Sequence, residues 1–124
     1  MEVPRPPSDN REAVQDQLAP LIDRIRLLVE EQVNGAPERL LERMEHTLTD
    51  GYAHALALEG ESMRIEREIG DAVAHIKEGG EASRLDHLAE RLAATESDLR
   101  CLRGLLASLR LRTEDVRGAV AVAR

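Results

Sequence analysis

Four histidines, one cysteine and a file of arginines at seven-residue spacing are the residues of this chain whose types could do chemistry. His46, His54, His75 and His87 would offer imidazole nitrogens to a metal, but their spacing fits no recognised zinc pattern. The best set is Asp71 with His75 and Asp86 with Glu90, each pair four residues apart, which a helical hairpin would bring to one level. On a heptad count those positions fall largely on the solvent side and diverge, so no metal site is assigned. Cys101 has Arg100 and Arg103 nearby to favour a thiolate, but no general base accompanies it; a small buried hydrophobe is its ordinary role. The stretch "KEGGEAS", residues 77–83, has glycines that could cradle a phosphate. It lacks the preceding strand and the spacing of a P-loop, and Glu78 and Glu81 would repel an anion. There is no glycine-rich dinucleotide turn and no nucleophile elbow, and the paired acids are spread over the whole surface. The expectation is a protein that is not an enzyme and has neither metal nor cofactor.

The totals agree with that expectation. At 124 residues the chain is one domain by size, and with 42% apolar residues but Tyr52 as its single aromatic it lacks bulky material for a compact globular core. Leu, Ala, Val and Ile mixed with Glu and Arg is the composition of long helices and coiled coils. The bias of sixteen Arg to one Lys, Lys77, reads as the coding habit of a GC-rich genome. A net charge of −7 disfavours direct binding of DNA or RNA and of an anionic membrane, which need a basic footprint. The charge is uneven, however: residues 1–99 carry −11 and residues 100–124 carry +4. A single cysteine, no secretory leader pattern and no apolar run of membrane-spanning length make a reducing cytoplasm the default location.

Three helices are predicted. "MEVPRPPSDN" carries three prolines in its first seven residues, so residues 1–8 read as a disordered lead-in, with Ser8 or Asp9 as a cap. Helix one follows over about 9–33, with Val14, Leu18, Leu21, Ile25 and Leu28 on one stripe and a kink or restart at Pro20. "NGAP", residues 34–37, stops it. Helix two, about 38–78, places Leu41, Met44, Leu48, Gly51, Ala55, Leu58, Ser62, Ile65, Ile69, Ala72 and Ile76 at alternating gaps of three and four. Gly79 and Gly80 end it, and Ser83 with Asp86 opens helix three, about 83–120. Its stripe is Leu85, Leu88, Leu92, Thr95, Leu99, Leu102, Leu106, Leu109, Thr113, Val116 and Val120. Two such helices on so short a connection must form an antiparallel coiled-coil hairpin. The energetic centre would be the seam of Leu41, Met44, Leu48, Leu58, Ile65 and Ile69 against Leu92, Leu99, Leu102, Leu106 and Leu109. Two registers remain open: Gly51 facing Leu106 and Ser62 facing Thr95, or Ala55 facing Leu109 and Ser62 facing Leu102.

Outside the seam, Tyr52, Leu56, Cys101 and Leu105 widen the apolar stripe in the half of the hairpin away from the glycines, whereas Glu61, Glu66, Glu68, Arg84 and Arg91 flank it nearer the turn. The base therefore wants a third element and the tip does not. Helix one fits, antiparallel to helix two and parallel to helix three, or else these four residues receive a protein partner. In that layout Asp16, Asp23 and Glu30 would approach Arg103, Arg110 and Arg117, flanking charges that choose orientation. A two-helix arm buries little by itself, so a homo-oligomer or a partner is expected to complete it.

The segment "ESDLRCLRGLLASLRLR", residues 96–112, resembles the signature helix of the actinobacterial anti-sigma factors that bind cyclic-di-GMP on an antiparallel helical hairpin. That pattern is Glu, three residues, Ser, two, Arg, three, Gln, three, Asp. Glu96 and Arg103 match it, while Arg100, Ala107 and Leu111 replace Ser, Gln and Asp, and residues 38–78 hold no second copy. The resemblance implies a sigma-factor-binding hairpin of similar architecture, and the departures put its nucleotide site in doubt. Two functional expectations follow. The leading one is a cytoplasmic coiled-coil module that binds itself or another protein. The alternative is an anti-sigma-like regulator in which Arg100, Arg103 and Arg110 bind a cyclic dinucleotide.

Overall fold

The computed structural model describes residues 9–76 and 81–123, with side chains from Asp16 to Ile76 and from Ala82 to Ala123. The lead-in before residue 9 and the "KEGG" turn lie outside the described residues. Among the described residues the chain is all-α, with three helices: α1 Asp9–Glu30, α2 Pro37–Ala74 and α3 Glu81–Ala123.

The ends of these helices have local causes. Helix α1 runs through Pro20 as one helix, which removes the restart of the two alternatives expected there. Pro20 is exposed, so the carbonyl left without an intrahelical donor lies near solvent. The helix closes at Glu30, earlier than the predicted residue 33, and the chain reverses through Gly35, whose φ of 62° suits a residue without a Cβ. Helix α2 opens with Pro37 in its first turn, where a missing N–H costs no ladder bond. Its last turn tightens, His75 N–H donating to the Ala72 carbonyl at 3.2 Å and Ile76 N–H to that of Val73 at 3.3 Å.

Helices α2 and α3 pack along their whole lengths as the antiparallel hairpin. The deepest positions repeat every seven residues: Met44, Leu58, Ile65 and Ala72 on α2, and Leu88, Leu102, Leu109 and Val116 on α3. The register is settled at Gly51. A Cβ built there would overlap Leu106 Cδ2 and lie 3.3 Å from its Cγ, so the two residues are directly opposed and the helix backbones approach closely. This is the first of the two registers left open by the sequence.

Helix α1 lies beside the base of the hairpin, antiparallel to α2. Its residues Asp16 to Arg24 line a groove with Asp50 to Ala57, and Glu31, just past its end, pairs with Arg43 at 2.7 Å. Leu18, Leu21, Ile25 and Leu28 join Leu40, Met44, Leu58, Leu102, Leu106 and Leu109 in one hydrophobic core. A smaller cluster of Ile65, Ala72 and Leu88, with Ile69, Leu85 and Leu92 around it, fills the tip. Between the two lies a polar layer in which Glu61, Ser62 and Thr95 are buried. Arg91 of α3 donates to Glu61 at 3.1 Å and stands 3.7 Å from Glu68, clamping α2 to α3 between the two clusters.

Candidate functional site

The seam residues fill the interior. Met44, Leu58, Ile65, Leu99, Leu102, Leu106 and Leu109 are buried, and Leu41, Leu48, Ile69 and Leu92 are half-buried. What the hairpin leaves for function is on its two sides, and the structure treats them differently.

On one side α1 is bolted down. Arg24 donates to Thr47 Oγ1 and to Asp50 Oδ2, both at 3.1 Å, and Arg112 of α3 donates at 2.9 Å to the carbonyl of Glu31. The last of these supplies a donor to a carbonyl just beyond the end of α1, where none comes from the helix itself. The α2 positions under α1 are Leu40, Thr47 and His54, seven apart and all buried. Leu105 packs against the same core.

The third element is α1, as expected, but it covers a different shoulder of the hairpin from the one read in the sequence. Of the four residues expected beneath helix one or a partner, only Leu105 packs into the core that α1 shares. Cys101 is exposed, and Tyr52 and Leu56 line a groove on the other side of the hairpin, which no α1 residue lines. The expected pairing of Asp16, Asp23 and Glu30 with Arg103, Arg110 and Arg117 is likewise replaced. Arg103 pairs with Glu59 and Arg117 approaches Glu45 at 3.9 Å, both acids of α2. The physical reason is register: with Gly51 opposite Leu106, the column Glu45, Tyr52, Glu59 comes level with Arg117, Arg110, Arg103. Arg103 and Arg117 find their acids within the hairpin, and α1 docks over the ridge of Leu40, Thr47 and His54, where Arg24 reaches Thr47 and Asp50. Sequence reasoning missed that ridge because Thr47, His54 and Glu61 look like surface residues; their seven-residue spacing from Leu40 was the available signal.

The uncovered side is a continuous groove. One stretch, about 320 Å³, is lined by Tyr52, Leu56 and Glu59 of α2 and by Arg103, Ala107 and Arg110 of α3. It runs at Glu59 and Arg103 into a second of about 510 Å³, lined also by Ser62, Met63, Glu96 and Arg100. The three arginines singled out from the sequence thus share one face. Three exposed apolar side chains cluster here, Tyr52 46% exposed, Leu56 68% and Met63 61%, whereas Leu27, Leu111 and Val122 are exposed elsewhere on the molecule. Ser62, 9% exposed, has no hydrogen-bond partner for its hydroxyl among the described residues.

The remaining candidates for chemistry do not gather. His46 stands 3.6 Å from Asp50, and His75 Nδ1 is 2.8 Å from the carbonyl of Asp71 on its own helix. Asp71, His75, Asp86 and Glu90 are all exposed, and among the described residues no group of three or more His, Cys, Asp or Glu side chains is placed to hold a metal ion. No described helix is long and apolar enough to cross a membrane. Fold and site together define a class, the three-helix protein built on a long antiparallel hairpin with one face left open. No protein-family model, curated protein or solved structure matches the chain.

Proposed function

We propose that this protein is a non-enzymatic helical interaction module acting in the cytoplasm, and that the open face of its hairpin is the surface by which it binds a protein. The observation that carries this reading is the asymmetry of the hairpin. One side is covered by α1, while the opposite side leaves Tyr52, Leu56 and Met63 in water beside ordered acid–arginine pairs. Apolar side chains clustered along a charged groove are the arrangement of an interface core with a polar rim. The test is the native mass of the tagged chain in extracts of its own cells, compared with that of Leu56→Glu. A mass above that of one chain, lost in the variant, supports the reading. The mass of a single chain for both proteins refutes it.

A second reading has one specific observation in its favour. Arg100 and Arg103, with Glu96 and the buried hydroxyl of Ser62, line the same groove. That is the setting an anti-sigma-like regulator would use to hold a phosphate-bearing cyclic dinucleotide, with Arg110 further along. Glu59 and Glu96 in the same groove oppose an anion. Calorimetric titration with cyclic-di-GMP, for the protein and for Arg103→Ala, decides it: saturable heat abolished by the substitution supports this reading, and no heat from the unsubstituted protein removes it.

A further inference from the structure

We infer that the occupant of the open face is a second copy of the same chain, related by a two-fold axis parallel to the hairpin, so that α2 of each copy lies on α3 of the other. The inference rests on the reading of this face as a protein-binding surface and specifies what binds there.

The argument is one of symmetry and charge. On the open face the α2 edge reads Glu45, Tyr52, Glu59 and the α3 edge reads Arg117, Arg110, Arg103 at the same levels, as the Glu59–Arg103 and Glu45–Arg117 pairs establish. A homodimer interface is isologous, so this face must complement itself. With the long helices of the two copies kept alongside one another, a two-fold axis can lay them face to face in two ways. An axis running across the helices sets α2 on α2 and α3 on α3, bringing glutamate onto glutamate and arginine onto arginine. An axis running along the helices exchanges the two edges. It sets Glu45 over Arg117 of the second copy, Tyr52 over Arg110 and Glu59 over Arg103, without changing level. Like charges opposed across an interface are strongly disfavoured, so the face selects the second arrangement.

The apolar shapes agree with the same operator. Leu56 stands across the groove from Ala107 in one chain. The exchange therefore puts Leu56 of each copy over Ala107 of the other, a large side chain above a small one, at two equivalent places. Met63 likewise comes over the aliphatic stem of Arg100. Tyr52 brings an aromatic face to a guanidinium, the favourable geometry for a cation on a ring.

The size of the patch sets the strength. At about 1.5 Å per residue, the stretch from Glu45 to Glu66 is roughly 30 Å long, and two helices are roughly 20 Å wide, so each copy offers on the order of 600 Å². That is at the small end of specific interfaces. The dimer should therefore dissociate on dilution and weaken as salt rises.

The experiment uses the purified full chain. Light-scattering mass is measured from micromolar to millimolar concentration, and oxidative cross-linking is done in a Cys101→Ser background with two separately tagged proteins, Leu56→Cys and Ala107→Cys. The expected result is a rise from one chain to two with concentration, and a disulfide that forms efficiently only when the two proteins are mixed. Glu59→Arg should weaken the dimer at least tenfold, and the double variant Glu59→Arg, Arg103→Glu should restore it, with unchanged helicity as the control. A single-chain mass at every concentration overturns the inference, as does efficient self-cross-linking of Leu56→Cys, which would mean the crossed axis. A purified monomer whose native mass in cell extracts is still raised through Leu56 would overturn this inference alone and leave the interaction module standing.

Discussion

The base and the tip of the hairpin are made from the same two helices by the same heptad pattern, yet they hold together differently. At the base, Leu102, Leu106 and Leu109 share a core with Leu18, Leu21, Ile25 and Leu28 of α1. At the tip, Ile65, Ala72 and Leu88 have only their own two helices for cover, and Val73 and Ile76 stand exposed at the end of α2. The Glu61–Arg91 layer lies between. The difference teaches that a heptad seam fixes which residues meet and buries them equally at both ends, whereas the size of the core they belong to, and with it the cost of a cavity, depends on what lies alongside.

The largest test of this contrast is a matched pair of truncations. Leu102→Ala should cost about 4 kcal/mol and Leu88→Ala about 2 kcal/mol, at opposite ends of the usual cost of such a cavity, because the tip can collapse and the base cannot. Urea denaturation of both variants checks it, and equal costs would abolish the distinction between the two regions. Next in size is the boundary. Arg91→Ala leaves the buried carboxylate of Glu61 without the cross-helix donor, although Arg64 still donates to it at 2.8 Å and 3.2 Å. A loss of about 2 kcal/mol is expected. Hydrogen exchange should speed up in the tip before the base, and uniform acceleration would mean that the layer is not a boundary.

Two glycines sharpen the comparison further. Gly51→Ala drives a methyl group into the buried Leu106, and overpacking of about 1–3 kcal/mol outweighs the gain of up to about 1 kcal/mol in helix propensity. A net destabilisation of about 1–2 kcal/mol in a thermal melt is expected. Gly70→Ala, towards the tip, meets nothing within 4 Å, so only the propensity gain remains. It should stabilise by about 0.5–1 kcal/mol, the smallest effect of the set. A stabilised Gly51→Ala would show that the base tolerates the same freedom as the tip.

The all-α hairpin was legible because alternating gaps of three and four over five heptads mark two long helices and the break at Asn34–Gly35 sets α1 apart from them, although α2 closes at Ala74, ahead of the predicted residue 78. The register was not, because two pairings half a heptad apart bury similar leucines, and only the close approach of Gly51 to Leu106 separates them. The side on which α1 docks was misread for a related reason. Tyr52 and Leu56 are the more apolar shoulder, but on the opposite shoulder of Leu40, Thr47 and His54 the acceptors of Thr47 and Asp50 hold Arg24. Seven-residue charge files proved ambiguous as a guide. The arginines could pair with α1 or with α2, and the acids of the directly facing helix hold Arg103 and Arg117.

The bond from Arg112 to the carbonyl of Glu31 joins residues 81 positions apart, and it has a consequence for the order of events during synthesis. Helix α1 leaves the ribosome first, but α3, which carries this donor and half of the core that receives Leu21 and Ile25, arrives last. At roughly 5–20 residues per second, the apolar stripe of α1 waits on the order of ten seconds before its binding site exists. The nascent chain therefore passes through an interval in which α1 has only α2 beside it, and the rest of its core arrives with α3.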